Sequence, residues 1–420
     1  MSGRSVYCRP QPAALVLILT SWCVLVALAA AAGSQAAELS GEVGYSFHYL
    51  TEAADNYKSS LTGQLVFQSS SSLGGFYIEA KGKFETQPNK TEKEWELGQA
   101  YLDIYLENID IRAGNQTINW GTADGINPTS TINPQDLTSL TNMEPAWLPV
   151  PAVRASYYFD SGAALTGVVA RHKAADLPAN TQLAGIQPSE PKEAERYEIA
   201  VRGEMPLPGG PQVYLTYSNT WEDYPVMWLQ PVQSFPYLMP MAKYRRQQAF
   251  GVATATTYSS GVAWIEAAYK IPEKLSELEM GTSPTSNLPL SGNDPYAQVV
   301  VGADYTFTGG LYTSAQLFYN GQGSLLNPYF SAPGQPEKAH TYLILNSRYT
   351  ITEAPDSQIE LMGLVDVNGK SSLLATRYSF QPLQNLKLFA GYVLAKGEQN
   401  DIKMVRPQLQ GWLIGATYSF

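Results

Sequence analysis

Only two of the 420 residues are cysteine, Cys8 and Cys23, and only three are histidine, His48, His172 and His340. Both thiols fall within the first 36 residues, so the rest of the chain has no disulfide framework and no cysteine chemistry. Three dispersed imidazoles leave little for a His-based metal site. None lies in a nucleophile motif, and G-x-S-x-G does not occur. The sequence therefore reads as no enzyme, with no cofactor and no metal. Charged side chains make up 15% of the chain, below the usual quarter. Acidic residues outnumber basic ones by 37 to 27, which argues against nucleic acid, whose binding is driven by Lys and Arg at phosphates. After Ala37 no run of 18 or more apolar residues occurs, so no transmembrane helix is available.

The first 36 residues hold a basic start (Arg4, Arg9), an apolar run from Ala13 to Ala32, and small residues at Ser34 and Ala36. This is the pattern of a secretory signal peptide, with removal expected after Ala36. Cys23 follows Trp22, a poor neighbour for a lipoprotein cleavage site. The expected organisation is a signal peptide over 1–36 and one β-rich domain over 37–420.

From Leu39 onward the apolar pattern has period two, the mark of strands. Leu39, Val43, Tyr45, Phe47 and Tyr49 share one face, and Ser40, Glu42, Ser46 and His48 the other. The pattern predicts further strands at 60–68, 74–84, 96–106, 109–119, 151–159, 163–172, 195–204, 212–220, 247–258 and 261–270. It continues at 296–308, 310–320, 340–350, 357–366, 371–380, 385–396 and 408–420. That makes eighteen, with sixteen as the alternative, because 357–366 and 371–380 are joined by an ambiguous link. Many are about ten residues long, the length a tilted strand needs to cross a bilayer.

Long and short links alternate between these strands. The links 51–59, 85–95, 120–150, 173–194, 221–246, 271–295 and 321–339 read as long, and those between them as short. An even number of strands with this alternation is the organisation of a transmembrane antiparallel β-barrel. Aromatic residues (Tyr157, Phe159, Tyr378, Phe380, Tyr418, Phe420) gather where strands meet short turns, as an interfacial girdle does. In lipid every backbone N–H and C=O needs a partner, so such a sheet must close.

The link after the fifth strand is the longest. Trp120-Gly121 breaks the alternation, and two Asn-Pro pairs (Asn127-Pro128, Asn133-Pro134) impose turns. Its prolines and apolar residues (Ile126, Ile132, Leu137, Leu140, Trp147, Leu148) are those of an ordered segment packed inside the barrel.

The closing A-T-Y-S-F, with terminal Phe420, Tyr418 and Trp412, resembles the assembly signal of bacterial outer-membrane proteins. The strand and loop count resembles the porin superfamily, in which the loop after the fifth strand folds inward and narrows the pore. The segment G-N-Q-x-I-x-W-G…N-P…N-P-x-D resembles a motif in porin-like barrels of largely unknown function. The acidic loop motif of general porins is absent, so their cation preference is not carried over. The resemblance implies the bacterial outer membrane as location. It implies the membrane lipid, the barrel assembly machinery, small hydrophilic solutes and a homo-oligomer as partners.

On the non-lipid face stand Lys81, Lys83, Arg112, Arg154, Arg202, Arg348, Arg377 and Lys387. They are met by Glu42, Glu79, Asp103, Asp110, Glu198, Glu266, Asp304 and Glu360, so the wall is close to neutral. Arg112 and Arg154 flank the long loop. One reading sets them opposite the loop residues Asp124, Asn127, Asp136 and Glu144 as a constriction with a transverse field. The other has them pin the loop by ion pairs. The expected function is passive diffusion of small hydrophilic solutes through a pore narrowed by loop 120–150. The alternative is a plugged or structural barrel of receptor or adhesin type.

Overall fold

The computed structural model describes residues 37–420 except 54–55, 137–146, 177–186, 232–237, 275–293, 324, 326–338, 352–355, 370, 398–405 and 408; of 227–231 and 238–240 it describes the backbone only. The region read as a signal peptide and the candidate Glu144 lie outside the described residues.

Period-two alternation becomes strand where one face meets an apolar medium and the other a polar lumen. The strands are β1 (Glu38–Leu50), β2 (Tyr57–Ser71), β3 (Gly74–Gln87), β4 (Lys90–Tyr105), β5 (Ile109–Gln116), β6 (Val150–Tyr158), β7 (Ala164–Arg171), β8 (Tyr197–Pro206) and β9 (Gln212–Trp221). After a two-stranded excursion, β10 (Val226–Pro231) and β11 (Leu238–Lys243), come β12 (Arg246–Tyr258), β13 (Gly261–Pro272), β14 (Tyr296–Thr306), β15 (Leu311–Asn320) and β16 (His340–Ile351). The last four are β17 (Asp356–Asp366), β18 (Ser371–Leu383), β19 (Leu386–Lys396) and β20 (Gly411–Ser419).

Apart from β10 and β11, which pair with each other, the strands form one 18-stranded antiparallel sheet in which each pairs with its chain neighbours. The sheet closes where β20 pairs with β1 in the register Glu42↔Ser419 to Leu50↔Gly411. Phe420 and Gly41 exchange two backbone hydrogen bonds of 2.9 Å at the seam. The ring has eighteen strands rather than sixteen, because β17 and β18 are distinct and pair from Asp356↔Gln381 to Asp366↔Ser371.

The outward face is apolar and exposed: Val43, Leu65, Val169, Val301, Ile359 and Ile414 all lie there. Near the short turns aromatic pairs two residues apart touch one another. Tyr157 and Phe159 have ring centroids 4.7 Å apart, Tyr305 and Phe307 4.8 Å, and Tyr418 and Phe420 6.4 Å.

Two expectations need correction. The link at 85–95 is no long loop: β3 and β4 run on to pair Gln87 with Lys90 around a two-residue turn. Its sequence K-T-E-K-E (90–94) is polar on both faces, which hid the strand. The link at 221–246 contains the β10–β11 hairpin, whose prolines at 231 and 240 made it read as irregular.

Candidate functional site in the barrel lumen

The fifth strand ends at Gln116, and the chain turns off the wall. Gln116, fully buried, fixes the departure point: its Nε2 donates to Ala152 O of β6 at 2.9 Å. Asn133 ties both legs of the loop together. Its Oδ1 accepts Ile118 N at 2.7 Å, while its Nδ2 donates to Gln116 O at 3.1 Å and Leu148 O at 2.7 Å. Beneath this tie Ile118, Trp120 and Ile132 pack on Val150, Ala152, Val168, Ala170 and Ala200, the inward residues of β6–β8. Those wall residues are mostly alanine and valine, which leaves room for an indole.

Beyond Trp120 the loop follows the wall. Arg202 of β8 donates to Trp120 O at 3.2 Å, and Thr131 Oγ1 donates to Ser218 Oγ of β9 at 2.8 Å. The tip is held by Glu266 of β13, which is fully buried. Its Oε1 accepts Thr122 N, Thr122 Oγ1 at 3.1 Å and Ala123 N at 2.7 Å. Its Oε2 accepts Thr129 Oγ1 at 3.0 Å and Thr129 N at 3.5 Å. Converging backbone N–H groups suit a carboxylate, because charge-assisted bonds are the stronger class. Gly121 is required here: a Cβ would lie 1.9 Å from the Asn127 side chain. Ala123 and Ile126 then pack on the cluster of Trp264, Val300, Phe318, Tyr342 and Ile344 from β13–β16.

Asp124 and Asn127 sit in this tip. Asp124 accepts Ser314 Oγ at 2.8 Å and Tyr312 Oη at 3.4 Å, both on β15. Asn127 is buried, and its carbonyl accepts Ser130 N at 3.1 Å. Asp136 lies apart, in a parallel bridge with Asp176 of the loop between β7 and β8. Burial pushes the Asp176 carboxyl up, with Lys173 opposing and the Asp136 carboxylate adding to the rise.

Arg112 and Arg154 lie directly opposite each other in the β5–β6 register. Arg112 is engaged by the wall: it makes a two-bond pair with Asp103 of β4, Nε–Oδ1 2.7 Å and Nη2–Oδ2 2.9 Å. Its guanidinium also lies 3.8 Å from the Tyr101 ring centre, and Tyr101 stacks on Tyr77 at 5.3 Å. Among the described residues Arg154 has no hydrogen bond or ion pair. The two arginines are thus not brought into contact with Asp124, which is held by β15, eight ring positions from β5. Other wall charges pair locally: Arg377 with Glu360 at 2.5 Å, Lys81 with Glu79 at 3.2 Å and Lys83 with Glu85 at 2.8 Å.

A family model described as "protein of unknown function (DUF1302)" matches residues 68–172, from β2 to just past β7, including the whole loop. No curated protein matches the chain in sequence. In structure the chain is similar to OccK11 (OpdR) of Pseudomonas aeruginosa, with TM-score 0.53 and 9% identity over 91% of this chain and 96% of that one. OccAB1 of Acinetobacter baumannii gives TM-score 0.53 and 7% identity over 91% and 96%. A BenF-like porin from Pseudomonas fluorescens Pf-5 gives TM-score 0.53 and 9% identity over 93% and 98%. The fold is that of the outer-membrane porins.

Within this porin fold the residues that fix the loop are Glu266, Asn133 and Gln116, and the sequence reading did not assign them that part. Glu266 stood there as one lumenal acid among several. A signal did exist: it is a lone carboxylate in the otherwise uncharged run V-A-W-I-E-A-A-Y. Trp412, Tyr418 and Phe420 stand on the outer face of the closing strand, with Trp412 packed against Tyr392 at 4.6 Å.

Proposed function

We propose that the chain is a porin-like channel of the bacterial outer membrane, through which small hydrophilic solutes pass by diffusion, with loop 117–149 setting the narrowest level. The observation that carries this reading is the seat of the loop tip on Glu266, inside a closed ring of eighteen strands. A ring of that size leaves an aqueous lumen unless something fills it. The described part of the loop lies along the wall from β6 to β16, which supports an open passage beside the arc from β17 through β1 to β3. That arc carries paired charges such as Arg377–Glu360 and Lys81–Glu79, suited to a wet wall of modest ion selectivity. Arg112 and Arg154 on one side, with Asp124 on the far side, support a transverse field across the constriction. Trp412, Tyr418 and Phe420, on the outer face at the closing strand, serve as the recognition element for the assembly machinery, and the outward apolar face meets the lipid.

The test is single-channel recording of the refolded chain 37–420 in a planar bilayer, with a salt gradient for selectivity. Stable openings that grow when 122–146 is deleted are the expected result. Inserted but silent protein would favour a barrel plugged by its own loops, and unchanged conductance in the deletion would remove the loop from the constriction.

A further inference from the structure

At the short-turn end of the lumen the wall of β1–β4 holds a cavity of about 220 Å³. Its cause lies in the register. The inward row next to the turn reads Ser70, Gly75 and Asp103 across β2, β3 and β4. Two of these three have little or no side chain. The inward row above it reads Gln68, Tyr77 and Tyr101 on the same strands. Rings set above a missing side chain leave a hollow, and Tyr105 and Asp103 complete its lining.

The upper row is a stack. The Arg112 guanidinium lies 3.8 Å from the Tyr101 ring centre, and the Tyr101 and Tyr77 rings are 5.3 Å apart and 11° from parallel. The stack ends at Tyr77, because Gln68, next in the row, has no ring. Beyond it Glu38 of β1 stands opposite Gln68, whose Nε2 donates to Glu38 Oε2 at 3.1 Å. Among the described residues Glu38 Oε1 and the hydroxyls of Tyr77 and Tyr101 take part in no hydrogen bond.

The charges around the hollow select against ions of either sign. An anion there would meet the carboxylates of Glu38 and Asp103. An organic cation would meet Arg112, which pairs with Asp103 and lies on the stacked rings. A neutral ring of hydroxyls meets neither penalty. Each hydroxyl donates one hydrogen bond and accepts up to two, so it can use a carboxylate, an amide and a phenol alike. The C–H face of such a ring is apolar and flat, and an aromatic face such as that of Tyr77 can cover it.

We infer that this hollow is a subsite for one neutral pyranose ring, with its C–H face on Tyr77 and its hydroxyls bonded to Gln68 and Glu38. The inference names one solute class for the channel proposed above and rests on that reading for the route to Tyr77. The hollow lies on the arc from β17 through β1 to β3, beside which the inward loop leaves passage. Its volume is below the ~300–1,000 Å³ of an ordinary small-molecule pocket, which limits the occupant to a single ring. Binding is then weak, as a site that must release its solute requires.

The test is saturation-transfer NMR on the refolded chain 37–420 in a zwitterionic detergent that carries no sugar. Glucose is the probe, with glucosamine and gluconate as its cationic and anionic counterparts. Saturation should reach the glucose ring protons, and the two charged sugars several-fold less. Tyr77→Ala should weaken glucose binding about tenfold, whereas Tyr77→Phe should keep most of it. Tyr158→Ala, a lumenal ring outside the hollow that bonds Asp110, should leave it unchanged. Gln68→Leu, expected to cost several-fold, is the second variant where Y77A does not fold. No transfer to glucose, wild-type transfer in Y77A or Q68L, or preference for a charged sugar would overturn the inference. Planar-bilayer recording of the same protein separates the two readings. A conducting protein without a glucose signal sinks the subsite and leaves the channel standing; a glucose signal from inserted but silent protein does the reverse.

Discussion

Removing the Glu266 carboxylate tests whether the loop is a fixed part of the pore or merely rests in it. The wild-type side chain accepts bonds from three loop residues, Thr122, Ala123 and Thr129, at a site closed to water. Hydrogen bonds to a charged group contribute about 1.5–3 kcal/mol each, and such bonds within one cluster are not additive. Glu266→Ala also strands the Thr122 and Ala123 N–H groups in the gap. A loss of about 3–5 kcal/mol in the docking of the tip follows. The apolar contacts of Ala123 and Ile126 with the β13–β16 cluster remain, so the tip loosens rather than unfolds. Since about 2.8 kcal/mol is a hundredfold in an equilibrium constant, undocked states should rise by two orders of magnitude or more. Glu266→Gln keeps shape and one acceptor oxygen, and should fall between wild type and Ala. Single-channel traces should show added open-channel noise and larger conductance excursions in E266A. Hydrogen exchange should show lost protection at Thr122 and Ala123. The lipid face is untouched, so insertion should match wild type. Wild-type noise together with wild-type protection in E266A would refute the idea that this carboxylate holds the loop.

Three further outcomes follow from the same geometry. Asn133→Ala removes the tie between Ile118, Gln116 and Leu148 and should destabilise the loop by about 2–4 kcal/mol, read as faster proteolysis within 117–149; an unchanged cleavage rate would count against it. Val301→Lys places a charge on the lipid face and should cost about 2–4 kcal/mol of membrane insertion, whereas Asn346→Lys, facing the lumen, should insert normally; the reverse would overturn the inward–outward register. Asp223, in the loop after β9, has a carboxyl pushed up to about 7 by burial and by the nearby Glu198 carboxylate, with Lys270 and His172 opposing. Its ordinary value is near 4. The docked loop therefore binds an extra proton between those values, so docking should weaken as pH rises through 7 and strengthen toward 5. Exchange of Ala175 N–H, which bonds Asp223 O at 3.1 Å, should follow that profile and lose it in Asp223→Asn.

What could be read from the sequence divides along a physical line. Within the barrel wall each residue faces either outward or into the lumen, so a strand is written into its own few residues; the expectation 261–270 against Gly261–Pro272 is typical. Beyond the closed wall that constraint lapses. Lys90–Glu94 is polar on both faces yet extended, and no alternation marks it. The inward loop is a third case. That a long, proline-stiffened loop after the fifth strand packs inward could be argued from its own composition. Its anchors could not, because Glu266 meets Thr122 across 144 residues of chain, and closure of the ring alone brings them together. The reading of Arg112 and Arg154 ran into the same boundary. Their place on β5 and β6 followed from local period, but the partner of Arg112 is a wall carboxylate, Asp103, on the strand before it. In a barrel whose neighbours are sequential, the nearest opposite charge on an adjacent strand is always a competitor for any contact across the lumen. Among the described residues Arg154, Arg348 and Lys387 form no ion pair, and such lumenal cations are therefore the ones available to whatever occupies the lumen.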